Sequence, residues 1–384
     1  MTRHPGLIDG PVYLDYNATT PVDPRVADAM WPYLTEFFGN PSSGHRYADA
    51  PRRALDDART QVAGLLNAAP GEVVFTSSGS EANLLALRGA VLAAARPGAH
   101  VITQSTEHPA VLETVRMLQR LHGARVTILP VDTDGLVSPE SLAMALTPET
   151  VLVSIMSANN ETGALQPIRE LVALTHEHGA LFHTDAAQAT GKIPLDVRDL
   201  DVDLLTVVGH KMYAPKGVGA LYIRDGLHLE PVVYGGGQER GLRAGTENVA
   251  LAVALGTAAQ LAAADLAADG PRRIAELRDT LHRTLTEALP GRVHLNGPTS
   301  ARLPNTLNIS IDGTRGHALL DDATTLAAST GSACHSGTHT PSPVLTAMGH
   351  PTDRALAAVR LSLGRWTTPE DIDTAATTVI NFMS

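Results

Sequence analysis

Lys211, in Gly209-His210-Lys211, and Asp185, in His183-Thr184-Asp185-Ala186-Ala187-Gln188, each stand at the end of an apolar, strand-like run. A carboxylate and an amine on neighbouring strand tips can form a plain ion pair. They can also hold the two ends of pyridoxal phosphate, the carboxylate against the ring nitrogen and the amine as a Schiff base to the aldehyde. Taken singly, Asp185 reads as a helix cap and Lys211 as a surface charge. A third segment favours the cofactor. Phe75-Thr76-Ser77-Ser78-Gly79-Ser80-Glu81-Ala82-Asn83 follows a strand-like run and opens a helix, so its N–H groups and hydroxyls suit a phosphate. Alone, it is weak evidence and reads more readily as a Ser N-cap with Glu81 and Asn83 in the first turn. It is neither a Walker loop nor a dinucleotide fingerprint: Gly191-Lys192 is followed by Ile193 where Ser or Thr is required, and no G-x-G-x-x-G follows a strand.

Two further residues carry chemistry. Cys334 is the one cysteine of the chain and lies in Gly331-Ser332-Ala333-Cys334-His335-Ser336-Gly337-Thr338-His339, among small polar residues without apolar periodicity. A lone cysteine is usually a small buried hydrophobe, but this setting suits an accessible loop thiol able to become a thiolate nucleophile. Cys334, His335 and His339 as metal ligands are the lesser alternative. Arg360 interrupts the apolar run Ala358-Val359-Arg360-Leu361-Ser362-Leu363, where an unpaired guanidinium is costly, so a carboxylate partner is expected. An internal salt bridge and a bidentate clamp on a substrate carboxylate fit it equally.

The elements that would position these residues alternate along the chain. Apolar, β-branched runs begin near residues 72, 100, 125, 151, 180, 203 and 219, with helical patterns between most of them. This predicts an α/β fold with a mainly parallel sheet covered on both faces, and ligands at the carboxyl ends of its strands. After Asn248 the sequence becomes helix-dominated and then gives strand-like pieces at 292–295 and 306–311, which predicts a smaller C-terminal domain. The expected division is a large domain over 15–260 and a small α+β domain formed by 1–14 and 261–384.

With 384 residues, 43% hydrophobic and 18% charged, the chain has globular composition. A net charge of −11 argues against direct binding to nucleic acid or anionic lipid. A single cysteine excludes internal disulfides and a Cys-rich metal cage within one chain. Residues 1–10 lack a basic segment followed by an apolar one, and the alanine-rich stretch at 249–268 is interrupted by polar residues. A cytoplasmic protein without a membrane span is expected.

Together these strings resemble the cysteine desulfurases of the NifS/IscS type, within the class V aminotransferases of PLP fold-type I. The matches run through 13–21, 39–43, Glu107-His108, Asn159-Asn160-Glu161-Thr162-Gly163, 185–188, 209–211, 235–240, 243–246, 304–308, 331–334 and 360–364. The resemblance implies that Lys211 carries pyridoxal 5'-phosphate and shuttles protons, that Asp185 pairs with the ring nitrogen, and that Gln188 bonds the phenolic oxygen. It implies that His108 stacks on the ring and assists proton transfer. Gly79, Ser80 and His210 would bind the phosphate, with Thr246 contributed by a second subunit of a homodimer. Asn160 and Arg360 would receive the carboxylate of L-cysteine. Cys334 would take the sulfur as a persulfide, releasing L-alanine, and would pass it to an acceptor or scaffold protein. Such sulfur feeds iron–sulfur assembly, tRNA thiolation or DNA phosphorothioation, and Cys334 is then also a possible cluster ligand. The long interval from Cys334 to Arg360 resembles the branch that transfers sulfur to proteins. The alternatives are a selenocysteine lyase or another PLP lyase on this fold, and a non-catalytic sulfur or cluster scaffold. Val208 stands where the family commonly has a phosphate-binding Ser, Ser80 where it has Thr, Ser157-Ala158 where it often has His-Val, and His335 where Ser or Thr is frequent.

Overall fold

The computed structural model describes residues 3–331 and 340–384. Cys334, His335 and His339 therefore lie outside the described residues. Twelve strands follow in chain order: β1 (Val12–Tyr13), β2 (Val73–Thr76), β3 (His100–Gln104), β4 (Arg125–Leu129), β5 (Thr150–Ser154), β6 (Leu181–Asp185), β7 (Leu204–Val208), β8 (Gly219–Ile223), β9 (Val293–Leu295), β10 (Thr306–Ile311), β11 (Leu326–Ala327) and β12 (Ala358–Ser362). Seven of them form the large sheet in the order β2-β8-β7-β6-β5-β3-β4. All neighbours from β4 to β7 are parallel, whereas β8 runs antiparallel to both β7 and β2. The sheet is thus mixed but mainly parallel, as the alternating pattern predicts.

Successive strand residues go to opposite faces, and both faces are apolar. Val73, Phe75, Ile102, Val153, Phe182 and Leu205 join one core, while Val74, Val101, Leu152, Leu204 and Leu221 join the other. Helices Asp49–Leu66 and Val249–Ala267 cover the first face, and helices Gly79–Ala93 and Pro109–His122 cover the second. Val249–Ala267 has the length and a mean hydropathy, 1.7, that would suit a membrane span, and it is the only such helix among the described residues. Its buried residues, among them Ala252, Leu255, Ala259 and Ala262, pack instead into the core of the sheet.

A separate core lies toward the C-terminus, around the antiparallel sheet β12-β10-β9. Leu281 and Leu285 of helix Gly270–Ala288, Leu307, Ile309, Leu361 and Val379 fill it, together with Val12 and Leu14 from the start of the chain. The pairing of β1 with β11 brings those early residues there, a long-range contact that no local pattern announces.

A buried ionic node fastens this part to the large sheet. The Arg365 guanidinium reaches Asp23 at 2.5 Å and Asp265 at 2.7 Å and lies 4.2 Å above the Tyr213 ring. Removing one member of such a pair strands a charge away from water. Arg365→Met is expected to cost about 3 kcal/mol, at the lower end for a broken buried pair because Arg25 still bonds Asp23. The urea midpoint of the variant against wild type measures it.

Candidate active site

The strand order places the chemistry. In the sheet β6 lies beside β7, with Asp185 opposite Thr206, so the tip of β6 and the turn Gly209–Lys211 after β7 are neighbours. Helix Gly79–Ala93 starts next to them, because Ser78 ends the approach from β2 and caps the helix by accepting from the Glu81 N–H at 3.2 Å. Cap and open helix terminus coexist, so the two readings of this segment are not exclusive.

A cavity of about 480 Å³ lies at these carboxyl ends and is lined by Gly79, Ser80, His108, Asn160, Asp185, Gln188, His210, Lys211 and Arg360. Nine of the residues singled out in the sequence thus share one wall system. Thr246 is exposed and does not line it. The described chain reaches the cavity at Ser329 and Gly331, shortly before Cys334. Exchange of backbone hydrogen bonds between Ser329 and Arg360, at 2.6 and 3.3 Å, brings it there.

Asp185 is nearly fully buried and doubly held. Its Oδ2 accepts from Asn83 Nδ2 at 2.8 Å and its Oδ1 from the Ala187 N–H at 2.9 Å. The Lys211 Nζ donates to the carbonyls of Asn17, at 2.6 Å, and Ala18, at 2.7 Å. Burial, helped by the charge of Arg360, lowers its pKa to about 8. His210 is likewise pushed down to about 4, by burial and then by Lys211 and Lys216, and its Nδ1 lies 3.1 Å from the Thr19 hydroxyl. The His108 Nδ1 accepts from the Ala110 N–H at 3.1 Å, which puts the ring proton on Nε2. Desolvation keeps that ring below the ordinary histidine pKa despite the attraction of Asp185.

Arg360 has the internal salt bridge that its sequence calls for. Its Nη2 pairs with Asp15 at 2.7 Å and its Nη1 donates to the Asn160 carbonyl at 3.1 Å, yet it lines the cavity and its Nε has no partner among the described residues. Val208 packs its Cγ2 against Gly79, where any side chain on the glycine would overlap it. A methyl group thus occupies the space beside the helix start that a serine hydroxyl would share.

Four residues of the site escaped the sequence reading. Asn83 holds Asp185. Glu107 is buried with its Oε1 on the Met156 N–H at 2.5 Å, and burial, with the nearby Asp185 charge, raises its pKa well above the ordinary carboxylate value. Lys192, met only as a failed Walker lysine, is buried. It donates to Gln188 Oε1 at 2.6 Å and Asn17 Oδ1 at 3.0 Å, and burial with two nearby cations pulls its pKa far down. Asn17 is the fourth. Its carbonyl also accepts from Gln188 Nε2, its Oδ1 from Asn305 Nδ2, and its Nδ2 donates to the Thr306 hydroxyl and the Asn160 carbonyl. The signal for it was its place in the 13–21 string, which gave no role. His183, next to Asp185, is a buried neutral ring at a pKa of about 3, bonded to Ser154 and Thr206 inside the sheet, and is structural.

The model of the class-V aminotransferases matches residues 12–374. The chain belongs to that family. Within it, the chain is 45% identical over 364 residues to the cysteine desulfurase IscS of Dictyoglomus turgidum, covering 94% of this chain and 92% of that one. Among solved structures a NifS-like protein superposes with a TM-score of 0.90 at 35% identity, covering 97% and 99% of the two chains. SspA in complex with cysteine superposes at 0.80 and 36% identity, covering 93% and 99%. This class-V chain is a cysteine desulfurase of fold-type I. The scaffold reading is set aside, and the selenocysteine lyase reading is not favoured.

The cavity fits the pyridoxal phosphate on which the family depends. It offers a clamped carboxylate at Asp185, an amine of lowered pKa at Lys211, and a helix start with the exposed Ser80 between them. Val208→Ser is expected to tighten cofactor binding about tenfold by adding a hydrogen bond to a charged group, measured by absorbance titration of the apoprotein.

Proposed function

We propose that the cavity carries out desulfuration of L-cysteine with pyridoxal 5'-phosphate held by Lys211, Asp185, Gln188, His108, His210, Gly79 and Ser80, and that Cys334 takes the sulfur. The single observation that carries this reading is the meeting of Lys211, Asp185 and Arg360 around one cavity into which the chain leading to Cys334 runs.

Bound there, the cofactor supplies an electron sink for the negative charge left when the substrate loses its α-proton. The residues do the rest. Arg360 and Asn160, which both line the cavity, orient the cysteine carboxylate. Asp185, fixed by Asn83 and the Ala187 N–H, keeps a ring nitrogen protonated without moving. Lys192 holds Gln188 Oε1 and so turns the Gln188 Nε2 outward as a donor, one of its hydrogens on the Asn17 carbonyl and the other left for a phenolic oxygen. Lys211, near pH 8 in its balance, takes and returns the proton. The Cys334 thiolate then attacks the substrate sulfur. A sulfur–sulfur bond forms, the carbon–sulfur bond breaks, its electron pair returns to the substrate carbon, and protonation there gives L-alanine. The persulfide passes to an acceptor protein.

A homodimer completes this reading. Thr246 is exposed and lies outside the cavity of its own chain that holds the site, while Trp31, Phe38, Tyr47 and Tyr234 are each more than 60% exposed, with Phe38 and Tyr47 in contact at 5.6 Å. The proposed domain division over 15–260 and the remainder draws support from the separate C-terminal core. A cytoplasmic location suits the chemistry, since Cys334 must be a free thiol to attack and that compartment keeps thiols reduced.

Cys334→Ser is expected to abolish alanine and sulfide release from L-cysteine while the cofactor absorbance stays; equal release by both proteins would overturn the role. The Lys211 amine is nucleophilic only when unprotonated. With a pKa near 8, about one amine in ten is free at pH 7, against about one in three thousand for an ordinary lysine. The rate of pyridoxal phosphate capture by the apoprotein is expected to climb with pH and level off above about pH 8, as read by stopped-flow absorbance.

A further inference from the structure

Glu161 belongs to the Asn159 to Gly163 string, but neither the sequence reading nor the chemistry above gives it a task. Its side chain is buried, and its Oε2 accepts a hydrogen bond from the Ser342 hydroxyl at 2.5 Å. Ser342 is itself 1% exposed and caps helix Pro343–Ala347 through the Leu345 N–H at 3.1 Å. The same carboxyl lies against Gly331, whose φ is +78°, and any side chain there would overlap Glu161 Oε2. Gly331 and Ser342 stand on the two sides of Cys334 in the chain.

The turn beneath is fixed at the other end. The Asn159 Oδ1 accepts from the N–H groups of Glu161 and Thr162 at 2.8 and 3.0 Å, and the Glu161 carbonyl accepts from Asn308 Nδ2 at 3.2 Å. The Asn160 carbonyl receives Nη1 of Arg360. One dipeptide therefore touches the substrate-carboxylate arginine with its backbone and both flanks of the cysteine segment with its carboxyl. Burial raises the Glu161 pKa to about 7 against the Ser342 hydrogen bond and the Arg360 charge. An apolar side chain there would leave the buried Ser342 hydroxyl without this acceptor.

We propose that Glu161 is a positioning residue that ties the chain on both sides of Cys334 to the turn contacting Arg360, setting the distance between the thiol and the bound substrate. The proposal rests on the reading of Cys334 as sulfur acceptor.

The test is a single turnover of the holoenzyme with L-cysteine, read in two ways: the cysteine-dependent absorbance change of the cofactor, which precedes sulfur transfer, and persulfide on Cys334, counted by alkylation and mass spectrometry. Glu161→Ala is expected to keep the absorbance change within about twofold and to slow persulfide formation about tenfold or more. Glu161→Gln retains an acceptor for Ser342 and is expected to recover most of the loss. Ser342→Ala, which breaks the same bond from the other side, is expected to slow the second signal selectively. Equal loss of both signals in the two alanine variants, or an undiminished persulfide rate in them, would overturn the proposal. A Cys334→Ser protein that still releases sulfide at the wild-type rate would instead overturn the reading beneath it, and the two failures are told apart by that variant alone.

Discussion

The site depends on Asn17. It is 1% exposed, and every polar group it owns is engaged: its N–H on the Ser362 hydroxyl, its carbonyl on Lys211 and Gln188, its Oδ1 on Lys192 and Asn305, and its Nδ2 on Asn160 and Thr306. An amide side chain has two acceptor sites and two donors, so the residue is saturated. Each partner left unpaired in this interior would lose about 1–3 kcal/mol, which makes the network hard to distort one bond at a time. Its partners come from β10, β12, the turn after β5, the turn after β7 and the loop after β6. The sheet that offers lysine and aspartate is thereby held in register with the strands that offer arginine.

The electrostatics of the cavity follow from that gathering. Lys192, Lys211 and Arg360 converge with few counter-charges: Asp15 partners Arg360, Asp185 is clamped by neutral donors, and burial disfavours the charged form of Glu107. Burial first, and then the charge of Arg360, makes both lysines lose their protons more easily, and Lys211 adds to the effect on Lys192. The same surplus of positive charge favours a phosphate at one end and a carboxylate at the other. A single arrangement thus yields both a reactive amine and an anion-receiving pocket.

Much of this was legible in the sequence because strand-tip chemistry is local. The runs ending at Thr76, Asp185 and Val208 are β-branched or apolar on both faces, so the polar residues after each are conspicuous, and the parallel sheet must align them. Asn17, Asn83, Glu107 and Lys192 were not legible, since each acts through a partner far along the chain or on a different element. Arg360 shows the limit well. The apolar run around it demanded a carboxylate, but that Asp15 supplies it depends on the start of the chain lying beside β12. Thr246 marks the other limit: it is exposed and lies outside the cavity, and no periodic pattern in the sequence says so.

The apolar helix Val249–Ala267 has a consequence for how the protein is made. It is greasy enough to pass for a membrane segment, yet it carries small residues where it meets helix Asp49–Leu66, and at Gly256 the backbone of Ala58 comes so close that a side chain would collide. On the ribosome the partner helix is synthesised some two hundred residues earlier, and chains fold from the N-terminus as they emerge. The helix that is to cover the apolar segment has thus already been made when that segment emerges, and the two can pair as soon as the large sheet is complete.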